Sequence, residues 1–141
     1  MKKLFMYALM IPAMAVSMVA CSSSKVNVKQ LDGKWNIVEV KGEVINSEEN
    51  VPFMEFDMEG KKLHGNAGCN IFNTSVILND KDDSALKIGQ AAATMMACPN
   101  MDLETKIFQS MDAVRSVKSG KSENELLLVD ENGNTLFVLS K

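Results

Sequence analysis

The chain is short of most of what catalysis needs. It has one histidine, His64, so a Ser-His-Asp arrangement has a single candidate base and no pattern around it to suggest one. It has three cysteines and no C-x-x-C pair, which argues against structural zinc. Basic residues number 15 against 18 acidic, so there is no excess of positive charge for a nucleic-acid phosphate backbone. Its apolar run near the N-terminus is too short for a confident membrane span. No internal repeat is visible, and 141 residues leave no room for a second domain.

What is present begins at the N-terminus. Met1-Lys2-Lys3 is a basic start, Leu4 to Val16 is apolar, and Ser17-Met18-Val19-Ala20-Cys21 follows. Small and apolar residues before a cysteine, directly after such a run, look like a bacterial lipobox. The expectation is a lipoprotein signal peptide over 1–20, with Cys21 as the lipidated first residue of the mature chain. More than one acyl chain on Cys21 would give stable anchoring. Loss of Lys2 and Lys3 takes the basic residues from 15 to 13 against 18 acidic, a net charge of −5. Residues 21–30, with Ser22-Ser23-Ser24, read as a flexible tether, and 31–141 as the domain. No acidic residue directly follows Cys21, which favours an outer-membrane anchor facing the periplasm over surface display.

With Cys21 spent on lipid, Cys69 and Cys98 remain. An exported chain with two thiols in an oxidising compartment points to one disulfide between them. Closing that loop is worth about 3.5 kcal/mol in the chain-entropy model. The bond would also remove the thiol that a Cys–His pair requires. No catalytic residue, metal or cofactor is expected, and His64 reads as a partly exposed structural residue.

The rest reads as short strands and one helix. Trp35 to Val40 is a strand with Trp35, Ile37 and Glu39 on one face. Phe53 to Met58 and Lys62 to Gly65 form a hairpin across Glu59-Gly60-Lys61. Gly65 and Gly68 suggest a bend or a close backbone approach. Asn70 to Leu78 is a strand, Asn79 to Ser84 a turn without the glycine and distal glutamate of an EF-hand, and Leu86 to Met96 a strand. Asn100 suits a helix N-cap, with Asp102 and Glu104 in the first turn. Leu103, Ile107, Met111 and Val114 repeat at helical spacing, which predicts a helix over 101–114 with Phe108 beside its buried stripe. Val117 begins a short strand. The runs 125–129 and 135–139 flank Asn132-Gly133, the strongest hairpin signal in the chain. Both runs are apolar on both faces, which predicts central strands. Met95, Met96, Cys98 and Met101 cluster as soft donors would for copper(I). Against that, neighbours on one strand point to opposite faces, and methionine is a common filler of cores.

Several of these pieces together resemble the META domain family, the HslJ-like bacterial envelope proteins. Leu31-Asp32-Gly33-Lys34-Trp35 is similar to the family's opening strand. Leu63 to Phe72, with Gly68-Cys69-Asn70, is similar to its glycine-cysteine-asparagine motif. Thr94-Met95-Met96-Ala97-Cys98 is similar to its second cysteine motif, and Glu104 and Phe108 suit its helix. Two positions depart: Met95 stands where a basic residue is frequent, and Thr74 where a glycine is. The resemblance implies an α+β fold, an antiparallel sheet curled into a partial barrel packed on one main helix. It also implies paired motif cysteines, an association with heat-shock-like envelope stress or secretion, and a likeness to pilot lipoproteins that hold an acyl chain such as palmitate.

Two functions are consistent with these readings. One is a non-catalytic lipoprotein domain that binds another envelope protein, attached to the membrane through Cys21. The other is a carrier of a small apolar ligand, such as an acyl chain, in a partial-barrel cleft lined by Trp35, Phe53, Phe56 and Phe72. No nucleic-acid partner is expected. A filled barrel favours the first function; an elongated apolar cavity beside the helix favours the second.

Overall fold

The computed structural model describes residues 26–46, 48–99 and 101–141. Cys21, the signal peptide and the first half of the expected tether lie outside the described residues, as does Asn100. A 3-10 turn, η1 (Val28–Leu31), leads into β1 (Gly33–Val40). β2 (Glu43–Val44), β3 (Phe53–Asp57), β4 (Lys62–Asn66), β5 (Ile71–Asn79), β6 (Asp82–Ile88) and β7 (Ala92–Ala93) follow. Then come α1 (Met101–Ala113), β8 (Ser116–Ser119), β9 (Glu125–Val129) and β10 (Thr135–Ser140).

Eight strands pair in a ring, in the order β1-β3-β4-β5-β6-β8-β9-β10, and β10 returns to β1. Every pairing is antiparallel. The expected sheet and helix are present, but the barrel is closed, not partial. The cause is the β1–β10 ladder, which runs from Asn36↔Ser140 to Val40↔Phe137 and joins the first strand to the last. Closure leaves the ring no free edge. The short strands β2 and β7 are appended to β1 and β5.

The interior is filled by alternate side chains, among them Trp35, Ile37, Met54, Phe56, Leu63, Phe72, Leu86, Leu128, Phe137 and Leu139. α1 packs against β1, β6 and β10. Since β1 and β6 stand opposite each other in the ring, the helix crosses one mouth of the barrel. η1 lies at the other end, beside the start of β1 and against β6, with Leu31 fully buried. Trp35 Nε1 donates to the Leu31 carbonyl over 2.7 Å, which satisfies its one polar atom inside the core.

Four expectations need correction. The domain does not begin at Leu31: Val26 and Val28 are already buried, so no tether extends to residue 30. Glu39 does not share the inner face with Trp35 and Ile37. A register shift between Ile37 and Glu39 turns Val40 inward instead. The strand expected over 86–96 ends at Ile88, and only Ala92–Ala93 pairs again, with β5. The two apolar runs at the C-terminus are barrel walls rather than sandwiched strands. Leu126 and Leu128 point in and Leu127 is half-buried outside, while an irregularity between Thr135 and Phe137 buries both Leu136 and Phe137.

Candidate functional site

The two cysteine-bearing stretches meet at the α1 end of the barrel. Cys69 and Cys98 are joined by a disulfide, with their Cα atoms 6.2 Å apart. Next to it, Gly68 adopts φ +109°, a conformation that favours glycine, and bends the chain between β4 and β5. Gly65 answers a different need. A Cβ there would strike the Phe53 carbonyl oxygen and lie 2.8 Å from Phe72 Cζ.

Asn70 ties the segment after β7 to the barrel and the helix. Its backbone N–H donates to Glu104 Oε1 over 2.9 Å, and its Nδ2 donates to Glu104 Oε2 over 2.8 Å. Its Oδ1 accepts from Thr94 Oγ1 and from the Met96 N–H, each at 2.8 Å. Nδ2 also reaches the Met96 carbonyl at 3.3 Å, and Thr94 Oγ1 accepts from the Ile71 N–H at 3.1 Å. Asn70 and Glu104 are buried, at 2% and 3% exposure. Every polar atom of the Asn70 side chain therefore has a partner in a place that water barely reaches. Glu104 stands in the first turn of α1, as the sequence predicts, but it is buried and bonded to Asn70, which its helical position alone does not signal.

The segment held in this way forms one wall of a cavity of about 530 Å³. α1 forms the other. Met95, Met96, Met101, Phe108 and Met111 line it with small alanines, and Asn70, Glu104 and Asp112 supply polar edges. Three methionines stand open at its rim: Met95 is 96% exposed, Met96 60% and Met101 42%. Met111 is buried at its floor. Phe108 meets Phe72 edge to face, with centroids 5.7 Å apart, so the barrel core supports the cavity from behind.

The aromatic residues expected to line a cleft lie elsewhere. Trp35, Phe56 and Phe72 are core, because the closed ring packs them against one another's neighbours. Phe53 is half-buried, with Lys34 Nζ 4.3 Å above its ring. None of the four lines the cavity beside α1. His64 is on the outer face of β4, half exposed, and its Nε2 is 2.9 Å from Glu55 Oε2 on β3. The turn expected over 79–84 is only Asp80-Lys81, since β5 runs to Asn79 and β6 starts at Asp82; the Asn79 and Asp82 side chains accept from nearby backbone N–H groups. Among the described residues no helix is long and apolar enough to cross a membrane.

Solved structures share this fold. A protein from Burkholderia xenovorans, determined by NMR, is 18% identical with a TM-score of 0.61, over 80% of this chain and 84% of that one. A second NMR structure is 23% identical with a TM-score of 0.59, over 82% and 94%. A crystal structure of a DUF4847 family protein from Bacteroides vulgatus is 14% identical with a TM-score of 0.53, over 78% and 92%. At these identities the likeness concerns the fold alone. No curated protein matches the chain. The META domain model matches residues 27–141, the whole of the barrel and helix, and the chain belongs to the META domain family.

Proposed function

We propose that this is a non-catalytic envelope lipoprotein domain, anchored through Cys21, that binds another envelope protein at the methionine-rimmed cavity, in stress response or secretion. The carrying observation is the contrast among its methionines. Met54, Met58 and Met111 are buried, whereas Met95, Met96 and Met101 are held open around one apolar hollow. An exposed apolar patch of this kind marks an interaction site. Methionine is the adaptable residue of such surfaces, since its unbranched chain re-packs around different partners. The filled barrel supports this reading over a ligand held inside the ring.

The cavity volume keeps the carrier reading alive. About 530 Å³ falls in the range of small-molecule sites, and the lining is mostly apolar. A photocrosslinking residue at Met95, in cells, separates the two. A discrete protein adduct at Met95, absent when the same residue replaces exposed Ile77 and lost with Met96→Glu, is the expected result. Equal adducts at both positions would end the reading. A stoichiometric acyl lipid in native mass spectra, with no protein adduct, would establish the carrier. The anchor is tested separately: Cys21→Ser should release the protein from the membrane fraction or leave it unprocessed.

A further inference from the structure

On a strand, Met95 and Met96 would point to opposite faces and could not share a soft-metal site. Residues 94–98 belong to no strand, and both side chains line the same cavity. Met101, at the start of α1, lines it too. Three thioethers from two elements thus border one hollow. They are not gap-fillers, being 96%, 60% and 42% exposed. Adaptable apolar contact accounts for flexible side chains at the rim; a soft ion would in addition use the sulfur that all three carry.

We propose that Met95, Met96 and Met101 form a binding site for copper(I). Thioethers are soft, neutral donors that suit this monovalent ion and hold zinc poorly. They also survive in an oxidising compartment, where a thiol pair does not. Cys69 and Cys98 are already joined, so thioethers are the sulfur donors left among the described residues. The backbone of the site is fixed while its side chains are free. Asn70 clamps Met96 at both its N–H and its carbonyl, and the disulfide anchors Cys98 two residues on. Met95, Met96 and Met101 border the same cavity around that anchored backbone. The carboxylates of Glu104 and Asp112 border the same cavity and favour positive charge there. The single imidazole takes no part, since His64 sits on the outer face of β4 against Glu55.

The test is an anaerobic titration of the protein, as processed by its cell, with copper(I) against a coloured copper(I) chelator. One equivalent should bind, and the X-ray absorption edge should show sulfur as the dominant donor. M95L/M96L/M101L should weaken binding by about 100-fold or more, at least the loss that outer-shell changes produce at metal sites. H64A and M54L should leave it unchanged. Should the triple variant not fold, the three single variants must each weaken binding. Absence of binding, or binding that survives the loss of all three sulfurs, overturns the proposal. The Met95 crosslink to a protein is read in cells and copper(I) binding on the purified protein, so a protein that crosslinks but binds no copper(I) overturns this proposal alone, and one that binds copper(I) but gives no adduct overturns the docking reading alone.

Discussion

Glu104→Ala should be among the most damaging single changes in the domain. The carboxylate accepts from the Asn70 N–H at 2.9 Å and from Asn70 Nδ2 at 2.8 Å, and both residues are buried. Alanine leaves both donors without that acceptor. An unsatisfied buried donor costs about 1–3 kcal/mol, so two cost about 2–6 kcal/mol. Nδ2 keeps its weaker contact to the Met96 carbonyl at 3.3 Å, which places the loss toward the middle of that range. Total stability of such a domain is about 5–15 kcal/mol, so the variant stays folded but its urea midpoint falls clearly. Glu104→Gln keeps the volume and one acceptor but turns an NH2 toward the second donor, so it should fall between wild type and alanine. Equilibrium unfolding of the three proteins gives the order. The further step is a cycle with Asn70→Ala. Because each residue satisfies the other, the double variant should cost much less than the two single losses added. A loss below about 1 kcal/mol for Glu104→Ala, or simple additivity with Asn70→Ala, would refute the claim that this pair joins helix to barrel.

Three other changes test neighbouring parts. Ile107 is fully buried on the helix face toward the barrel, and Ile107→Ala should cost about 2–5 kcal/mol by urea unfolding. Ser110 Oγ is buried with no hydrogen-bond partner among the described residues, so Ser110→Ala should be neutral or stabilising, by up to about 1 kcal/mol. A marked loss would reveal a partner such as an ordered water. Asp130 accepts from Asn134 and Asn132 N–H groups in the β9–β10 turn, and the Asn134 backbone bond above all lowers its pKa from the usual carboxylate value near 3.8. A lowered folded value means the ionised turn adds stability above the unfolded pKa and loses it as pH falls through the folded pKa. Carboxyl NMR titration should place the Asp130 midpoint below that of an unfolded peptide, and Asp130→Asn should flatten the acid side of the stability curve.

Much of the fold could be read locally. Alternating β3, the Asn132-Gly133 hairpin and most of the helical stripe are patterns of near neighbours: Ile107, Met111 and Val114 are buried as expected, but Val114 lies just past the end of α1 and Leu103 is only half-buried. Closure could not be read this way. It rests on β1 meeting β10 across nearly the whole domain, and no short window records that. The same holds for the displaced aromatics. Phe56 and Phe72 line an open sheet or fill a closed ring with the same sequence, and only the ring's closure decides between them. The end of β6 at Ile88 was hidden for another reason. Small residues at 89–93 permit a strand but do not require one, and Gly89 bonds back to Ser75. The network of Asn70, Thr94 and Glu104 joins positions 24 and 34 residues apart in the chain, so it leaves no periodic trace. Its two halves were visible only as separate cysteine motifs.

The ring also fixes which way the cavity faces. β1 starts beside η1 and ends under α1, so its eight residues span the barrel from one mouth to the other, about 26 Å at the rise of a strand. Val26 enters at the η1 mouth, with the β3–β4 and β5–β6 turns. Asp32, Asp57, Glu59, Asp80 and Asp83 border that mouth against Lys29, so its balance of charge is negative. The methionine rim is at the far mouth. Val26 is five Cα steps from Cys21, a reach of at most about 18 Å when extended. A lipid on Cys21 would therefore hold the acidic mouth toward the membrane and leave the cavity turned away from it. Anionic headgroups would repel that mouth rather than draw it in. A partner met at the methionine rim would then come from the aqueous compartment or from structures across it, not from the anchoring leaflet. Moving the anchor tests this directly. A lipid attached at Lys141, which lies over Trp35 at the same mouth, should preserve the Met95 crosslink, and one attached at Lys106 on α1 should abolish it.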